Sequence, residues 1–279
     1  MGDDPKIFLP KNEMQMKLKN KIAVITGAGR GIGRSVALAF AREGADLVLG
    51  ARTADQLEKV KQEALEIGVN ALTVPCDVSS PEDMEKLALE TDTTFGRVDI
   101  LVNNAGISKR SKFLEYENKT WLEVLKINLF GAFLCTKAIL PLIQKVSKGR
   151  IIMMASTAAK GPVPFNTAYS ASKHGMVGLT RSLAAEIALS GYKGITVNAI
   201  CPFFVDTDMF SGPDGYVAQT SRNTDRSVDD VTQYALGRSL QGRILRPEEI
   251  AALAVFLASD EAEGLTGQSI NVCGGTAFY

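Results

Sequence analysis

Short β-branched runs alternate with longer helical periodicities along nearly the whole chain, and this rhythm limits the fold more than any other feature. Ile22–Ile25, Asp46–Leu49, Ala71–Val74, Ile100–Val102, Ile151–Met154, Ile195–Ile200 and Ser269–Val272 have the length and composition of strands. Helical spacing of apolar residues fills Gly31–Arg42, Asp55–Ile67, Pro81–Thr93, Thr120–Gln144, Ala168–Ser190 and Pro247–Ala258. Such alternation predicts a parallel sheet covered by helices on both faces. Right-handed crossovers then leave a doubly wound α/β sheet.

No internal repeat and no linker divides the 279 residues, a length that one core can serve. Residues 1–16 are expected to form a loosely ordered arm and residues 17–279 one domain. Residues 205–240 break the rhythm, with Gly212-Pro213-Asp214-Gly215 followed by a polar stretch. A loop of that length in a compact domain is usually functional, and a lid over a substrate is expected.

Charge argues against broad electrostatic partners. The 31 basic side chains equal the 31 acidic ones, so neither nucleic acid nor an acidic membrane is expected to bind. Met1–Gln15 has no apolar leader core, and no stretch is expected to reach the ~20 apolar residues of a membrane span. Cys76, Cys135, Cys201 and Cys273 are scattered, and His174 is the only histidine. A zinc or other metal site is therefore not expected, and free thiols suggest a reducing, cytoplasmic setting.

The first strand runs into Thr26-Gly27-Ala28-Gly29-Arg30-Gly31-Ile32-Gly33. Glycines at this spacing allow a tight turn and close approach to a pyrophosphate, which the next helix meets with its free N–H groups. Gly27, Gly29, Arg30, Gly31, Ile32 and Gly33 are the expected contacts. The tip of the second strand reads Gly50-Ala51-Arg52, without the acid that would bind the ribose 2′-OH of NAD. Arg52, with Arg30 in the turn, suits a 2′-phosphate, so NADP(H) is favoured over NAD(H).

Tyr169 and Lys173 stand four residues apart on a helix and share a face. An ammonium beside a phenol favours the phenolate, which lets the tyrosine exchange a proton with a carbonyl oxygen. No other tyrosine has a lysine at that spacing. His174, next in sequence, points about 100° around the helix and is expected to be structural.

Together these residues resemble the short-chain dehydrogenase/reductase family. The likeness rests on the glycine motif at Thr26–Gly33, Asn103-Asn104-Ala105-Gly106 after the fourth strand, Ser156, and Tyr169 with Lys173. It covers residues 17 to the end and implies a Rossmann-type doubly wound sheet. By that resemblance Tyr169 would be the general acid or base, Lys173 would hold the ribose and lower the tyrosine pKa, and Ser156 would bond the substrate oxygen. Asn128 would anchor a water relaying protons through Lys173. Asp77 and Val78 would contact the adenine, and Asn104, Ala105 and Gly106 the adenosine side. Pro202, Val205 and Thr207 would line the nicotinamide, with Thr207 on its carboxamide. The chain departs from the pattern at Phe203, where glycine is common, and at Ala155 before Ser156.

Ser156, Val163, Phe165, Tyr169, Phe203, Phe204, Met209 and Phe210 flank the inferred site and suggest an apolar substrate pocket. Ser170–Gly175 and Ile270–Gly275 resemble bacterial acyl and aromatic polyketide ketoreductases, which makes a 3-oxoacyl-type carbonyl the leading substrate. Oxidation of a hydroxyacyl-CoA, steroid, cyclic alcohol or sugar is the alternative, and a non-catalytic dinucleotide sensor a remote one. Where carrier-dependent relatives hold basic residues, Ser147 and Ser190 stand here. Lys109, Arg110 and Lys112 read as a solvated loop rather than as contacts to a phosphate or carboxylate. The helices Thr120–Gln144 and Ala168–Ser190 are apolar on more than one face, so a homo-oligomer is expected, a tetramer or else a dimer.

Overall fold

A computed structural model describes residues 16–279, so the expected N-terminal arm, apart from Met16, lies outside the described residues. Seven strands form one parallel sheet: β1 (Ile22–Thr26), β2 (Asp46–Ala51), β3 (Ala71–Pro75), β4 (Ile100–Asn103), β5 (Arg150–Met154), β6 (Thr196–Pro202) and β7 (Ser269–Val272). Their order is β3-β2-β1-β4-β5-β6-β7, which reverses direction between β1 and β4. Every residue of β1, β4, β5 and β6 is buried, as near-continuous apolar strands covered on two faces must be.

Helices α1 (Gly31–Arg42), α2 (Ala54–Ile67) and α10 (Pro247–Ala258) cover one face of the sheet. Phe40, Leu57 and Leu257 pack there with Ile25 and Leu49. Helices α3 (Pro81–Phe95), α4 (Asn118–Leu125), α5 (Gly131–Ile143) and α6 (Thr167–Leu189) cover the other. Met84, Leu87, Ile139 and Met176 pack there with Val24 and Leu101. The helix starts carry local signals: Ser80 caps α3 by accepting the Asp83 N–H at 3.1 Å, with Pro81 in the first turn.

The stretch expected as one helix over Thr120–Gln144 is interrupted. Between α4 and α5 the residues Lys126–Phe130 form a π-helical turn. The continuous helical stretch Asn118–Ile143 has 26 residues and contains an 18-residue window of mean hydropathy 1.5, long and apolar enough by composition to cross a membrane. This corrects the expectation that no segment reaches that length. Half of its apolar window is buried inside the protein, and Asn128 within it is fully buried, as in a core helix.

Residues 205–240 form three short helices rather than the expected loop: α7 (Asp208–Ser211), α8 (Tyr216–Thr224) and α9 (Val228–Arg238). Phe210, Val217, Val231 and Ala235 give them a small core of their own, with Phe204, Tyr216 and Ile244 at its edge. Their base is tied by one isolated parallel bridge, Val205 to Leu245. Around it Asp206 donates to the Leu245 carbonyl at 2.8 Å and Leu245 to that of Phe204 at 3.0 Å.

Candidate active site

The glycine turn after β1 and Asn104–Ala105 after β4 stand side by side at the topological switch point, where open α/β sheets bind ligands. After β1 the chain turns through Gly27–Arg30 into α1 with no room for side chains. A Cβ on Gly33 would stand 2.2 Å from the Gly27 carbonyl oxygen, and one on Gly27 would stand 2.9 Å from the Ala105 Cα. Gly27 and Gly31 also have φ of +65° and +55°. The first turn of α1 holds no acidic residue and no side chain caps it. Its N–H groups and positive dipole end therefore suit an anion, and the cradle fits a dinucleotide pyrophosphate.

The cofactor-side residues are braced from below. The Thr26 hydroxyl accepts N–H groups from Asn104 at 3.0 Å and Ala105 at 3.2 Å. The Asn104 carboxamide donates to the Thr26 and Gly27 carbonyls at 2.9 and 3.2 Å. Asp77 accepts the Ser79 N–H at 2.8 Å. Burial pushes the Asp77 carboxyl up, but the Ser79 hydrogen bonds and the charges of Arg52 and Lys126 outweigh it, and the net shift is downward. Thr207 packs over the turn, its Cγ2 3.2 Å from where a Gly31 Cβ would stand.

The two arginines differ. Arg52 is exposed after Ala51 and forms no ion pair among the described residues. Arg30 is instead engaged by α7: its Nη1 lies 2.7 Å from Asp208 Oδ2.

Asn128 sits in the π-helical turn and is clamped on both sides. Its Oδ1 accepts the Ile107 N–H at 2.8 Å, and its Nδ2 donates to the Ile107 carbonyl at 2.9 Å and to Ser172 Oγ at 3.1 Å. The side chain thus fixes the segment after Gly106. Around a Cβ placed on Gly106, Asn128 Oδ1 would lie 3.2 Å away and Lys173 Nζ 3.7 Å away. Lys173 is buried and donates to the Met154 carbonyl at 2.6 Å. Burial pulls its ammonium down to about 8.

Tyr169 lies on α6 beside Lys173, whose Nζ is 5.5 Å from the ring centroid. The ring keeps some solvent contact, yet burial pushes the phenol up, while its hydrogen bond with Ser156 acts downward. The expected lowering by Lys173 is thus not the prevailing effect: the same dry surroundings favour the neutral form of both groups. Ser156 is buried at the end of β5, accepts the Ala158 N–H at 3.1 Å and lies 3.5 Å from the Pro202 carbonyl.

On the substrate side, Phe203 and Phe204 contact each other at 4.1 Å between centroids, and Phe204 meets Tyr216 at 4.3 Å. Phe210 is buried in the core of the lid, 5.1 Å from Phe204, and so backs the wall rather than forming it. Met209 is exposed. Val163 and Phe165 lie in the turn before α6, and Phe165 holds φ at +62°. His174 is exposed, its Nδ1 2.9 Å from the Ser170 carbonyl, and all four cysteines are buried and free.

Sequence reasoning gave no role to Thr26, Ile107 or Ser172, which brace the site. Thr26 and Ser172 stood inside the quoted motifs, but a bracing hydroxyl has no pattern of its own. Lys109 and Lys112 are solvated as expected, whereas Arg110 turns inward.

A family model described as Enoyl-(Acyl carrier protein) reductase matches residues 27–277. The chain is 37% identical over 263 residues to a putative ketoacyl reductase of Streptomyces coelicolor, covering 93% of this chain and 98% of that protein. It is 35% identical over 264 residues to a 3-oxoacyl-[acyl-carrier-protein] reductase of Synechocystis, covering 94% of this chain and 99% of that protein. A crystal structure of a variant of actinorhodin polyketide ketoreductase with NADPH superposes with a TM-score of 0.87 at 36% identity, over 93% of this chain and 98% of that one.

Proposed function

The chain belongs to the short-chain dehydrogenase/reductase family, and from that premise we propose that it interconverts a ketone and a secondary alcohol with NADP(H), acting on a 3-oxoacyl-type or other apolar carbonyl. One observation carries the reading: Ser156, Tyr169, Lys173 and Asn128, drawn from three separate segments, meet beside the glycine cradle.

Gly27, Gly29, Arg30, Gly31, Ile32 and Gly33 would hold the pyrophosphate, with Asp77, Val78 and Asn104–Gly106 toward the adenosine. Pro202, Val205 and Thr207 would hold the nicotinamide side. When bound, the dinucleotide supplies or receives the hydride at the carbonyl carbon. Ser156 donates a hydrogen bond to the substrate oxygen and holds it against Tyr169. The Tyr169 phenol gives its proton to that oxygen in reduction and takes it back in oxidation. Lys173 keeps a positive charge at the phenol and the ribose. Asn128 holds the Ile107 backbone and Ser172, which fixes the distance between Lys173 and the cofactor floor. A phenol held neutral by burial is suited to the acid role in reduction.

The NADP(H) preference is supported by Ala51 in place of an acid, by the unpaired Arg52, and by the NADPH in the related ketoreductase structure. The lid of α7–α9 closes the substrate side. Assembly as a homotetramer or dimer is supported by the apolar hollow along α4 and α5, where Leu122, Phe130 and Phe133 are exposed. At its other end the hollow reaches Arg52 and Asp77 on the cofactor side. The four free thiols support a cytoplasmic setting.

The test is NADPH consumption over a panel of acyl thioesters, cyclic ketones and steroids, repeated with NADH, with mass by light scattering. Turnover with NADPH by an oligomer is expected. Absence of turnover with every carbonyl would overturn the enzymatic reading.

A further inference from the structure

Arg110 lies in the segment after β4, three residues beyond the Ile107 that Asn128 clamps. Its backbone is held by α8: the N–H donates to Gln219 Oε1 at 2.6 Å, and the carbonyl accepts Asn223 Nδ2 at 3.3 Å. Its guanidinium lies 4.7 Å from the centroid of the Tyr216 ring. Nη2 donates to the Pro164 carbonyl at 2.9 Å. The next residue, Ser111, donates its N–H to the Phe165 carbonyl at 2.9 Å. Arg110 therefore stands where the lid meets the turn that leads into Tyr169.

Its remaining nitrogens are unused. Nε and Nη1 are buried and have no hydrogen-bond partner among the described residues. No carboxylate pairs with it among those residues either, although its neighbour Lys112 pairs with Glu115 at 3.5 Å in the open. A guanidinium does not shed its charge, and a buried charge without a counter-ion is costly. Burial accordingly pulls Arg110 below its ordinary value. Bracing the Pro164 turn needs one donor, whereas this side chain offers more and keeps them dry. The Tyr216 ring beside it meets Phe204, and Phe204 meets Phe203, which follows Pro202, whose carbonyl lies 3.5 Å from the Ser156 hydroxyl.

We infer that Arg110 is the anion-recognition residue of the substrate pocket and that the carbonyl substrate carries a carboxylate. A single half-buried cation over the Tyr216 ring balances a monoanion. A phosphate monoester carries nearly two charges, and the further cations it would need, Lys109 and Lys112, face solvent. The inference rests on the reductase reading and narrows its substrate class.

The experiment compares benzoylpropionate with its ethyl ester in the wild type, Arg110→Lys and Arg110→Met, following NADPH consumption. The wild type is expected to favour the acid over the ester in kcat/KM, through KM. In Arg110→Met the acid-to-ester ratio should fall by about 10- to 100-fold, the worth of one or two charge-assisted hydrogen bonds, with partial retention in Arg110→Lys. An equal ratio in wild type and Arg110→Met overturns the inference and leaves Arg110 a brace. Loss confined to coenzyme A thioesters also overturns it, placing a phosphate there instead. A second measurement does not depend on turnover: phenylpropionate should raise the melting temperature of the wild type and not of Arg110→Met, and phenylpropionamide should raise neither. Equal shifts by acid and amide, or none by the acid in the wild type, refute the carboxylate site. If no ketone consumes NADPH while the acid still binds through Arg110, the reductase reading fails and the anion site stands.

Discussion

Arg30 of the glycine turn and Asp208 at the start of the lid are joined by an ion pair of 2.7 Å, so one guanidinium serves both the cofactor loop and the lid. Both side chains are about two-thirds exposed, and such pairs contribute at most about 1 kcal/mol. Binding of a 2′-phosphate competes with Asp208 for that guanidinium. Asp208→Asn is therefore expected to tighten NADPH by about 2- to 5-fold and leave NADH unchanged. Fluorescence titration of both cofactors measures this, and an unaltered NADPH affinity shows that the two anions do not compete.

Arg52 has no such rival. Arg52→Ala is expected to raise KM for NADPH by about tenfold and to change NADH little, since one partly exposed charge-assisted hydrogen bond is lost. Ala51→Asp with Arg52→Ile should move the preference toward NADH by adding a ribose acceptor and a repulsive charge together. The quantity to compare is kcat/KM for both cofactors. A wild type that uses NADH as well as NADPH would make Arg52 an ordinary surface residue.

Tyr169→Phe removes the proton donor and keeps the ring beside Lys173. Turnover is expected to drop at least 10²- to 10⁴-fold, with NADPH affinity kept within a few-fold. Steady-state rates and a cofactor titration on the same preparation suffice. A mutant that retains kcat would assign the proton to another group.

Lys173 makes stability depend on pH in a definite sense. Its ammonium is pulled from 10.5 to about 8 by burial, so between those values the unfolded chain binds the proton and the folded one does not. Stability from this group therefore rises as pH climbs from about 8 to 10.5, by ~3 kcal/mol in order of magnitude. Lys173→Met, inactive but free of the buried charge, should be the more stable protein at neutral pH, with the gap closing above 10.5. Tyr169 is pushed up and works the other way above its ordinary value of 10, in both proteins alike. Denaturation midpoints across this range test the sign, and parallel curves for the two proteins would refute it.

The sheet was legible because a parallel strand buried on both faces leaves an apolar run that nothing else in the chain imitates. Ser269–Val272 is observed with the predicted bounds, and β1 extends one residue beyond its expected end, to Thr26. The π-helical turn at Lys126–Phe130 was not legible, since one wider turn hardly disturbs the spacing of apolar residues. The lid helices escaped for a different reason: they are short, largely polar and held by contacts among themselves, so Val217 and Val231 leave no stripe long enough to read. Tyr169, Lys173, Ser156 and Asn128, named from motif and order, lie close together in the structure. Arg110 could not be named in that way, because in sequence it sits between exposed neighbours, and only the packing of α8 against the Pro164 turn turns it inward. Arg30 was placed on the correct loop but not with its partner, because Asp208 is 178 positions away.

The bridge between Val205 and Leu245 has a consequence for how such a chain can diversify. The helices beyond it pack on their own four buried side chains and lean on the frame through few bonds. Beyond the Thr207 and Asp208 contacts with the glycine turn, substitution or resizing there leaves the strand register untouched. Chemistry and selectivity are in this way inherited separately: the sheet end keeps the proton and hydride machinery, while the excursion above it is free to be rewritten for a new molecule.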